Sequence, residues 1–237
     1  MTDDAIAYYA DLIARRGELS MVCWTVVESC RNPVTIESVA ARLGADPAEI
    51  TEMPWDAAFD GPGAAVAHLA QSGPAVMVAE VNGYSGAMPG VLRRLSEDSR
   101  ARSVFWNVNM MTSLGCAAFG DLLVRFEFPD NDRTGVDICA LDDELEPVYA
   151  ARRDPRDDGR AAMMAVVERR TGVRLEEDWL DASRPAVVVP SPGTPDRPAW
   201  GGGSFFDPEL ESALLLAPTS VDRDFVADLT DLLVPAA

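Results

Sequence analysis

The sequence predicts an α+β protein with a mainly antiparallel sheet and with helices packed on one side of it, plus a C-terminal helical extension. Apolar runs in residues 112–128 follow one another through a short turn, as in a hairpin, instead of alternating one to one with helices. The composition is that of an ordinary globular protein, with 48% apolar and 25% charged residues among 237. The length suffices for one large domain with a small appendage.

The first elements are read from their spacing. Apolar residues recur at helical intervals before Gly17, and residues 19–28 are rich in β-branched and aromatic types that favour a buried strand. Thr35 is typical of the residue that precedes a helix, and Gly44 is typical of the residue that ends one. The expected elements are a helix over 3–16, a strand over 19–28, a helix between Thr35 and Gly44, and a short helix over 63–72 that holds His68.

The centre continues with a strand over 75–82, a helix that begins at Pro89 and a strand over 103–109. Gly120 and Asp121 form a two-residue turn with glycine first, which suits an antiparallel hairpin. A helix over 160–171 and a short strand over 186–189 follow, and together these elements make a core domain over 1–189. The segment 190–203 is rich in proline and glycine and predicts an extended arm, which leads to a helical segment over 204–237.

The charge is strongly negative: 39 acidic side chains face 20 basic ones, and the formal net charge is −19. All basic residues are arginines, which excludes a Schiff-base lysine and a phosphate-loop lysine. No basic cluster longer than a pair is present, so nucleic acid is not an expected ligand. An acidic field attracts a cationic partner, and it also serves solubility.

The sequence contains few residues in the patterns that bind a metal ion or a cofactor. One histidine, His68, excludes a two-histidine metal site, and its apolar surroundings favour a structural role. The stretch 130–137 resembles the start of a calcium loop, but its twelfth position is Leu141 instead of glutamate. We expect no cofactor and no metal. Cys23, Cys30, Cys116 and Cys139 lack the close spacings of zinc or redox sites and are interpreted as reduced core residues.

The N-terminus shows no signal peptide, and no segment has the ~20 consecutive apolar residues that span a bilayer. The sequence therefore predicts a cytoplasmic protein that does not bind membranes.

Strand alternation gathers polar residues into one candidate binding surface, because successive side chains of a strand point to opposite faces. If the more polar faces of the three central strands coincide, they form a strip on one side of the sheet. A half-buried sheet normally keeps one face polar, which is the simpler explanation. The candidate residues are Glu80, Asn82, Tyr84, Asn107, Asn109, Arg125 and Glu127.

The segments VAEVNGYSGAMPGVLRRLS, SVFWNVN and AVVERRTGVRLEEDWLD together resemble a family of bacterial proteins classified only as a domain of unknown function. The resemblance covers about residues 19–182 and includes a strand that ends in Glu80, an Asn-Gly-aromatic turn and the paired asparagines Asn107 and Asn109. Tyr84 stands where the family pattern has tryptophan. The resemblance implies a fold unit and a candidate region, and no reaction.

Three functions remain open. The first is a non-enzymatic interaction protein, an immunity-type or adaptor-type partner of a basic protein, which the acid excess and the missing catalytic groups favour. The second is an enzyme that acts on a small polar substrate through Glu80 and neighbouring groups. The third is an acidic DNA mimic. We lean towards a protein without enzymatic activity.

Overall fold

A large antiparallel sheet dominates the chain in the computed structural model, which describes residues 4–29, 33–59, 65–81, 83–109, 111–128, 132–153 and 159–190. Within these residues the sheet has nine strands in the order β2-β9-β3-β4-β1-β5-β6-β7-β8. The expected arm beyond Pro190 and the expected C-terminal helical segment lie outside the described residues. The strands are β1 (Val22–Ser29), β2 (Thr51–Met53), β3 (Ala65–Ser72), β4 (Ala75–Val81), β5 (Ser99–Trp106), β6 (Thr112–Ala118), β7 (Asp121–Phe128), β8 (Arg133–Thr134) and β9 (Arg184–Val189).

Five α-helices accompany these strands in the described residues, which confirms the α+β class. They are α1 (Asp4–Arg15), α2 (Ile36–Leu43), α3 (Pro89–Leu95), α4 (Glu146–Arg153) and α5 (Arg160–Thr171). The second helix begins as its sequence predicts, because the Thr35 hydroxyl accepts a hydrogen bond from the Ser38 amide in a reciprocal capping box. Gly44 closes the helix in the left-handed conformation, at φ 90°.

The helices lie on both faces of the sheet, which corrects the expected one-sided packing. One apolar cluster joins α1 and α5 to residues such as Trp24 and Val104, and a second joins α2 and α3 to Val27 and Val78. The physical reason is that the central strands are apolar on both faces, so that every residue of β4 is buried. A single helical layer would leave one of these faces in water.

Residues 63–72 were expected to form a helix, yet Ala65–Ser72 form β3. The alanine-rich sequence favours a helix by propensity, but in the sheet Ala67 and Leu69 face one core while Val66 and His68 face the other. Pairing with β4 on one side and β9 on the other satisfies the backbone and outweighs the local preference.

The hairpin turn is displaced by one residue from its expected position. Ala118 pairs with Asp121, so that Phe119 and Gly120 form the turn. Their φ values of 53° and 85° are both positive, as in a type I′ turn, which places glycine second instead of first. A bulge between Cys116 and Ala117 also alters the alternation in β7, and Leu122 therefore packs with the core opposite to that of Val124.

No helix among the described residues is long and apolar enough to cross a membrane. Cys23 and Cys116 are buried and reduced, as expected, whereas Cys139 is exposed in the loop between β8 and α4. Its position beside the acidic residues Asp137 and Asp142 explains why the core prediction is wrong there. Cys30 lies outside the described residues.

Candidate functional site

Glu80, near the end of β4, is fully buried and serves as the anchor of the loop that follows it. Its Oε2 accepts a hydrogen bond from the Ser85 amide at 2.9 Å, and its Oε1 accepts one from the Gly86 amide at 2.6 Å. These amides belong to a short 3-10 turn, Ser85–Ala87, that precedes α3. Both carboxylate oxygens are therefore used to hold backbone amides.

A buried polar cluster surrounds this carboxylate. Between β1 and β5, the Thr25 hydroxyl donates to the Ser103 hydroxyl at 2.9 Å, and the Cys23 Sγ lies 3.4 Å from the same Ser103 oxygen. Burial raises the pKa of Glu80, although the Gly86 amide acts in the opposite direction. Burial, and next the Glu80 charge, raise the pKa of Cys23 well above its usual range, so that its thiol is not a nucleophile at neutral pH.

The close approach of the loop explains Gly83, in the Asn-Gly-aromatic turn, and Gly86, three residues later. A Cβ on Gly83 would lie 2.8 Å from both Cβ and Oε2 of Glu80. A Cβ on Gly86 would lie 2.4 Å from the Thr25 hydroxyl oxygen and 3.2 Å from Glu80 Oε1. These residues accordingly form one structural unit in which a loop is pressed against the sheet.

The other acidic residue of the predicted strip, Glu127, shares this face with Glu80 but lies far from it. The register runs from Glu80 through Cys23, Phe105 and Ser113 to Glu127, which is four strand steps. At ~4.8 Å per step the two backbones are about 19 Å apart. Paired carboxylates that act on one bond lie within about 10 Å of each other, so this pair is not arranged for joint acid–base catalysis.

The remaining strip residues serve separate local contacts. Asn107 accepts hydrogen bonds from the Asn109 and Met111 amides through its Oδ1 and thereby stabilises the β5–β6 turn, where Asn109 is exposed. Tyr84 is half-buried, with its ring centroid 6.2 Å from that of Phe105. Asn82 lies outside the described residues.

Arg125 and Glu127 form an ion pair with each other on β7. Both are half-buried and face the same side of the sheet as Glu80. Their charges compensate each other, so that this end of the strip carries little net charge.

His68 lies in an aromatic cluster on β3. Its ring centroid is 5.3 Å from that of Trp55 and 6.4 Å from that of Trp179. The side chain is fully buried, and Nε2 lies 3.0 Å from the carbonyl oxygen of Pro54. A carbonyl only accepts, so Nε2 is the donor in this hydrogen bond and carries a proton.

An exposed apolar patch stands at the β7 edge of the sheet, and the sequence patterns did not reveal it. Phe119, Val136 and Ile138 are exposed to 62%, 69% and 48% respectively. The Val136 amide donates to the Leu122 carbonyl, and Leu122 is three residues along the chain from Phe119, so that both residues lie at the same end of β7. Phe119 is distinguished by its positive φ, which is unusual for a bulky residue. This angle is visible in the structure and could not be inferred from the sequence.

Exposed carboxylates lie on the same stretch of the chain. Asp121 belongs to β7, and Asp132, Asp137, Asp142 and Asp143 lie on the chain between β7 and α4. In the part of the chain that the structure describes, no group of three histidine, cysteine, aspartate or glutamate side chains is placed to hold a metal ion. We name Phe119, Val136 and Ile138 with these five aspartates the edge patch.

Residues 26–192 match the model of the Family of unknown function (DUF6461). The resemblance predicted from the sequence over residues 19–182 is thus confirmed at the level of a domain of unknown function. No curated protein and no solved structure matches the chain.

Proposed function

Because the chain belongs to this family of unknown function, we propose its role from its own surface: it is a non-enzymatic interaction module that binds a basic protein through the edge patch. The observation that carries the proposal is the exposed ring of Phe119, held at φ 53° at the same end of the sheet as two further exposed aliphatic side chains. A bulky residue in the left-handed region costs about 1 kcal/mol or more, and such strain concentrates at functional sites.

The loop that carries Val136 and Ile138 is held in place before any partner binds. The Val136 amide donates to the Leu122 carbonyl at 3.1 Å, and the Asp137 amide donates to the Leu123 carbonyl at 2.9 Å. Preorganisation of this kind lowers the entropic cost of binding.

Arg133 fixes the outer part of the same loop. Its Nη1 donates to the Ile138 carbonyl at 2.9 Å and pairs with Asp142, and its Nη2 donates to the Tyr149 hydroxyl at 2.5 Å. Gly135 lies at φ 136°, where a Cβ would be 2.2 Å from the Leu123 carbonyl oxygen. Val136 and Ile138 therefore belong to a loop whose conformation is fixed by these contacts.

The charge around the patch determines the kind of partner. Five exposed aspartates, one of them paired with Arg133, lie on the same stretch of the chain as these apolar residues, and the chain as a whole carries a formal charge of −19. Interfaces commonly combine an apolar core with a charged rim, and complementary charge accelerates association. The partner that fits is a protein with an apolar anchor inside a basic surface, in line with an immunity-type or adaptor-type role.

Affinity capture from the native host tests this proposal, with the wild-type chain and the variants Phe119→Asn, Val136→Ser and Val188→Ser as baits. Val188 is 43% exposed on β9, six strand steps or about 29 Å from β7, and is therefore the matched control. We expect one basic protein to bind the wild-type and Val188→Ser baits saturably. Capture should fall at least tenfold with Phe119→Asn and Val136→Ser, and should weaken as salt rises.

Equal capture by all four baits would contradict a role for the edge patch. Failure of the wild-type bait to bind any protein saturably, at low or moderate salt, would contradict the interaction role itself. Purified partner and bait then give the stoichiometry and affinity directly by calorimetry.

An enzyme acting through Glu80 receives less support from the geometry. The carboxylate is fully buried, and both of its oxygens accept hydrogen bonds from the backbone amides of the loop above it. A general acid or base must reach the proton that it transfers. A bacterial source and a cytoplasmic location remain parts of the proposal that agree with the interaction role.

A further inference from the structure

A cavity of about 230 Å³ lies on the sheet face opposite to Glu80, beside β5 and β6. Three arginines, Arg100, Arg102 and Arg170, line it together with Cys116 and an apolar wall that includes Leu123 and Leu141. This concentration of positive groups stands out in a chain with 39 acidic residues.

The fold brings these arginines together from two elements. Arg100 and Arg102 are two residues apart on β5 and so point to the same face. Arg170 belongs to the last turn of α5, which packs on that face. The spacing in the sequence therefore predicts that Arg100 and Arg102 lie close together, but it does not predict that Arg170 joins them.

Within the residues that the structure describes, two of the three cavity arginines are paired with carboxylates, and the third is not. Arg102 pairs with Glu28 at 2.5 Å, and Arg170 pairs with Glu144. Arg100 has no ion-pair partner among the described residues. The carboxylate of Asp143 also acts on Arg170, and Asp143 and Arg100 are both exposed, so that solvent and salt screen these two charges alike.

Arg102 retains unused donors. A guanidinium has five N–H donors, whereas Glu28 is the single hydrogen-bond partner of Arg102 in the described part of the chain. The residue is 9% exposed, and none of its nitrogens belongs to the buried, unpartnered atoms of the described residues. The free donors thus remain accessible to a small molecule in the cavity.

We propose that this cavity binds a small organic anion, whose carboxylate or phosphate group contacts Arg100 and Arg102 and whose short apolar part packs against Leu123 and Leu141. Guanidinium groups match the planar geometry and the charge of such groups. The volume is below the range of about 300–1,000 Å³ typical of drug-sized ligands, which limits the ligand to a smaller molecule. This site shares no lining residue with the edge patch, although Asp143 of that patch acts on Arg170.

Cys116 provides a reporter inside the cavity. Burial raises the pKa of its thiol to about 11, and this effect exceeds the opposing influence of Arg102 and Arg170. The thiol is therefore neutral at neutral pH and adds no negative charge that would repel an anion. A bound anion would shield it from alkylation.

The test is calorimetric titration of the full chain with sodium phosphate and, separately, with sodium butyrate, at constant ionic strength. We expect saturable binding of at least one anion, and the tighter of the two identifies the preferred head group. Arg100→Gln should weaken binding about tenfold or more, and Arg100→Lys should weaken it less. Arg153→Gln removes the same charge from an exposed arginine that does not line the cavity, and should change affinity less than twofold.

Alkylation with iodoacetamide at about pH 9, where a fraction of the Cys116 thiol is ionised, locates the bound anion. Trypsin releases Cys116 in the peptide 103–125 and Cys139 in the peptide 134–152, because the chain contains arginine and no lysine. The anion should slow alkylation of Cys116 and leave that of the exposed Cys139 unchanged. The proposal is overturned if neither anion binds saturably up to about 10 mM, or if Arg100→Gln and Arg153→Gln weaken binding equally.

Discussion

At the scale of the residue, Glu80 shows how one buried carboxylate determines local structure. An acidic side chain with no exposed surface is costly unless its oxygens are hydrogen-bonded, and here two backbone amides supply those bonds. The residue thereby joins the end of β4 to the turn that begins the path to α3. Both of its carboxylate oxygens bind the amides of this loop.

Replacement of Glu80 by alanine should lower the free energy of unfolding by about 2–4 kcal/mol, because it leaves two buried amides without acceptors and opens a cavity. Urea unfolding at neutral pH measures this. Glu127→Ala is the control on the same cross-strand row, where the side chain is half-exposed and paired with Arg125, and should cost about 1 kcal/mol or less. Similar losses in both variants would contradict the anchor role.

His68 should make the protein less stable as the pH falls. Burial lowers its pKa below the ordinary value of 6.5, so the unfolded chain takes up a proton at higher pH than the folded chain does. Its contribution to stability is therefore complete above pH 6.5 and is lost as the pH falls towards the folded pKa, with a slope of up to ~1.4 kcal/mol per pH unit.

Urea unfolding between about pH 5 and pH 8 tests this effect in the wild type and in His68→Gln. His68 is the only histidine of the chain, and comparison of the two proteins cancels the contribution of the carboxylates, Glu80 included. The wild type should show the steeper loss of stability towards acid. Parallel pH profiles would contradict the prediction.

At the scale of the element, the turn Ser85–Ala87 depends on close contact with the sheet. Gly86→Ala should destabilise the protein by about 1–3 kcal/mol, since the added methyl would lie 2.4 Å from the Thr25 hydroxyl oxygen and 3.2 Å from Glu80. Gly90→Ala, in α3, meets no atom within 4 Å and should be neutral or stabilising by up to ~1 kcal/mol. Thermal unfolding of the two variants measures these effects. A loss of stability in Gly90→Ala alone would contradict the prediction.

The hairpin turn offers a test in which stability and function move in opposite directions. Phe119→Asn places a residue that tolerates positive φ before Gly120, the preferred order for a type I′ turn. We expect the free energy of unfolding to rise by about 0.5–1 kcal/mol while partner capture falls. A variant that loses both stability and capture would show that Phe119 contributes to folding instead of recognition.

The same elements show how far local sequence patterns predict this fold. Capping residues and apolar periodicity predicted α1, α2, β1 and β4, because their signals are local. The strand β3 was missed, since its alanines favour a helix and only pairing with two neighbours makes a strand. The polar strip was inferred from alternation alone, which cannot tell that Glu80 lies beneath a loop or that Glu127 is four strands away.

At the scale of the whole molecule, the two proposed surfaces have opposite charge and different residues. The edge patch combines exposed apolar side chains with carboxylates at one end of the sheet order, whereas the cavity gathers Arg100, Arg102 and Arg170 against one face. The two sets share no residue, so that a variant can be made in one set alone. Arg100→Gln should accordingly leave partner capture unchanged, and Val136→Ser should leave anion binding unchanged.

The net charge of −19 should itself reduce stability at low salt, because repulsion among exposed carboxylates is strongest when it is unscreened. We expect the midpoint of thermal unfolding to rise as sodium chloride increases from about 20 mM to about 300 mM, where the screening length falls to ~6 Å. Exposed ion pairs such as Arg153–Glu146 weaken under the same conditions, but each contributes at most about 1 kcal/mol. Choline chloride should reproduce the rise, because screening does not depend on the identity of the cation. A midpoint that falls with either salt would mean that attractive pairs outweigh the acid excess.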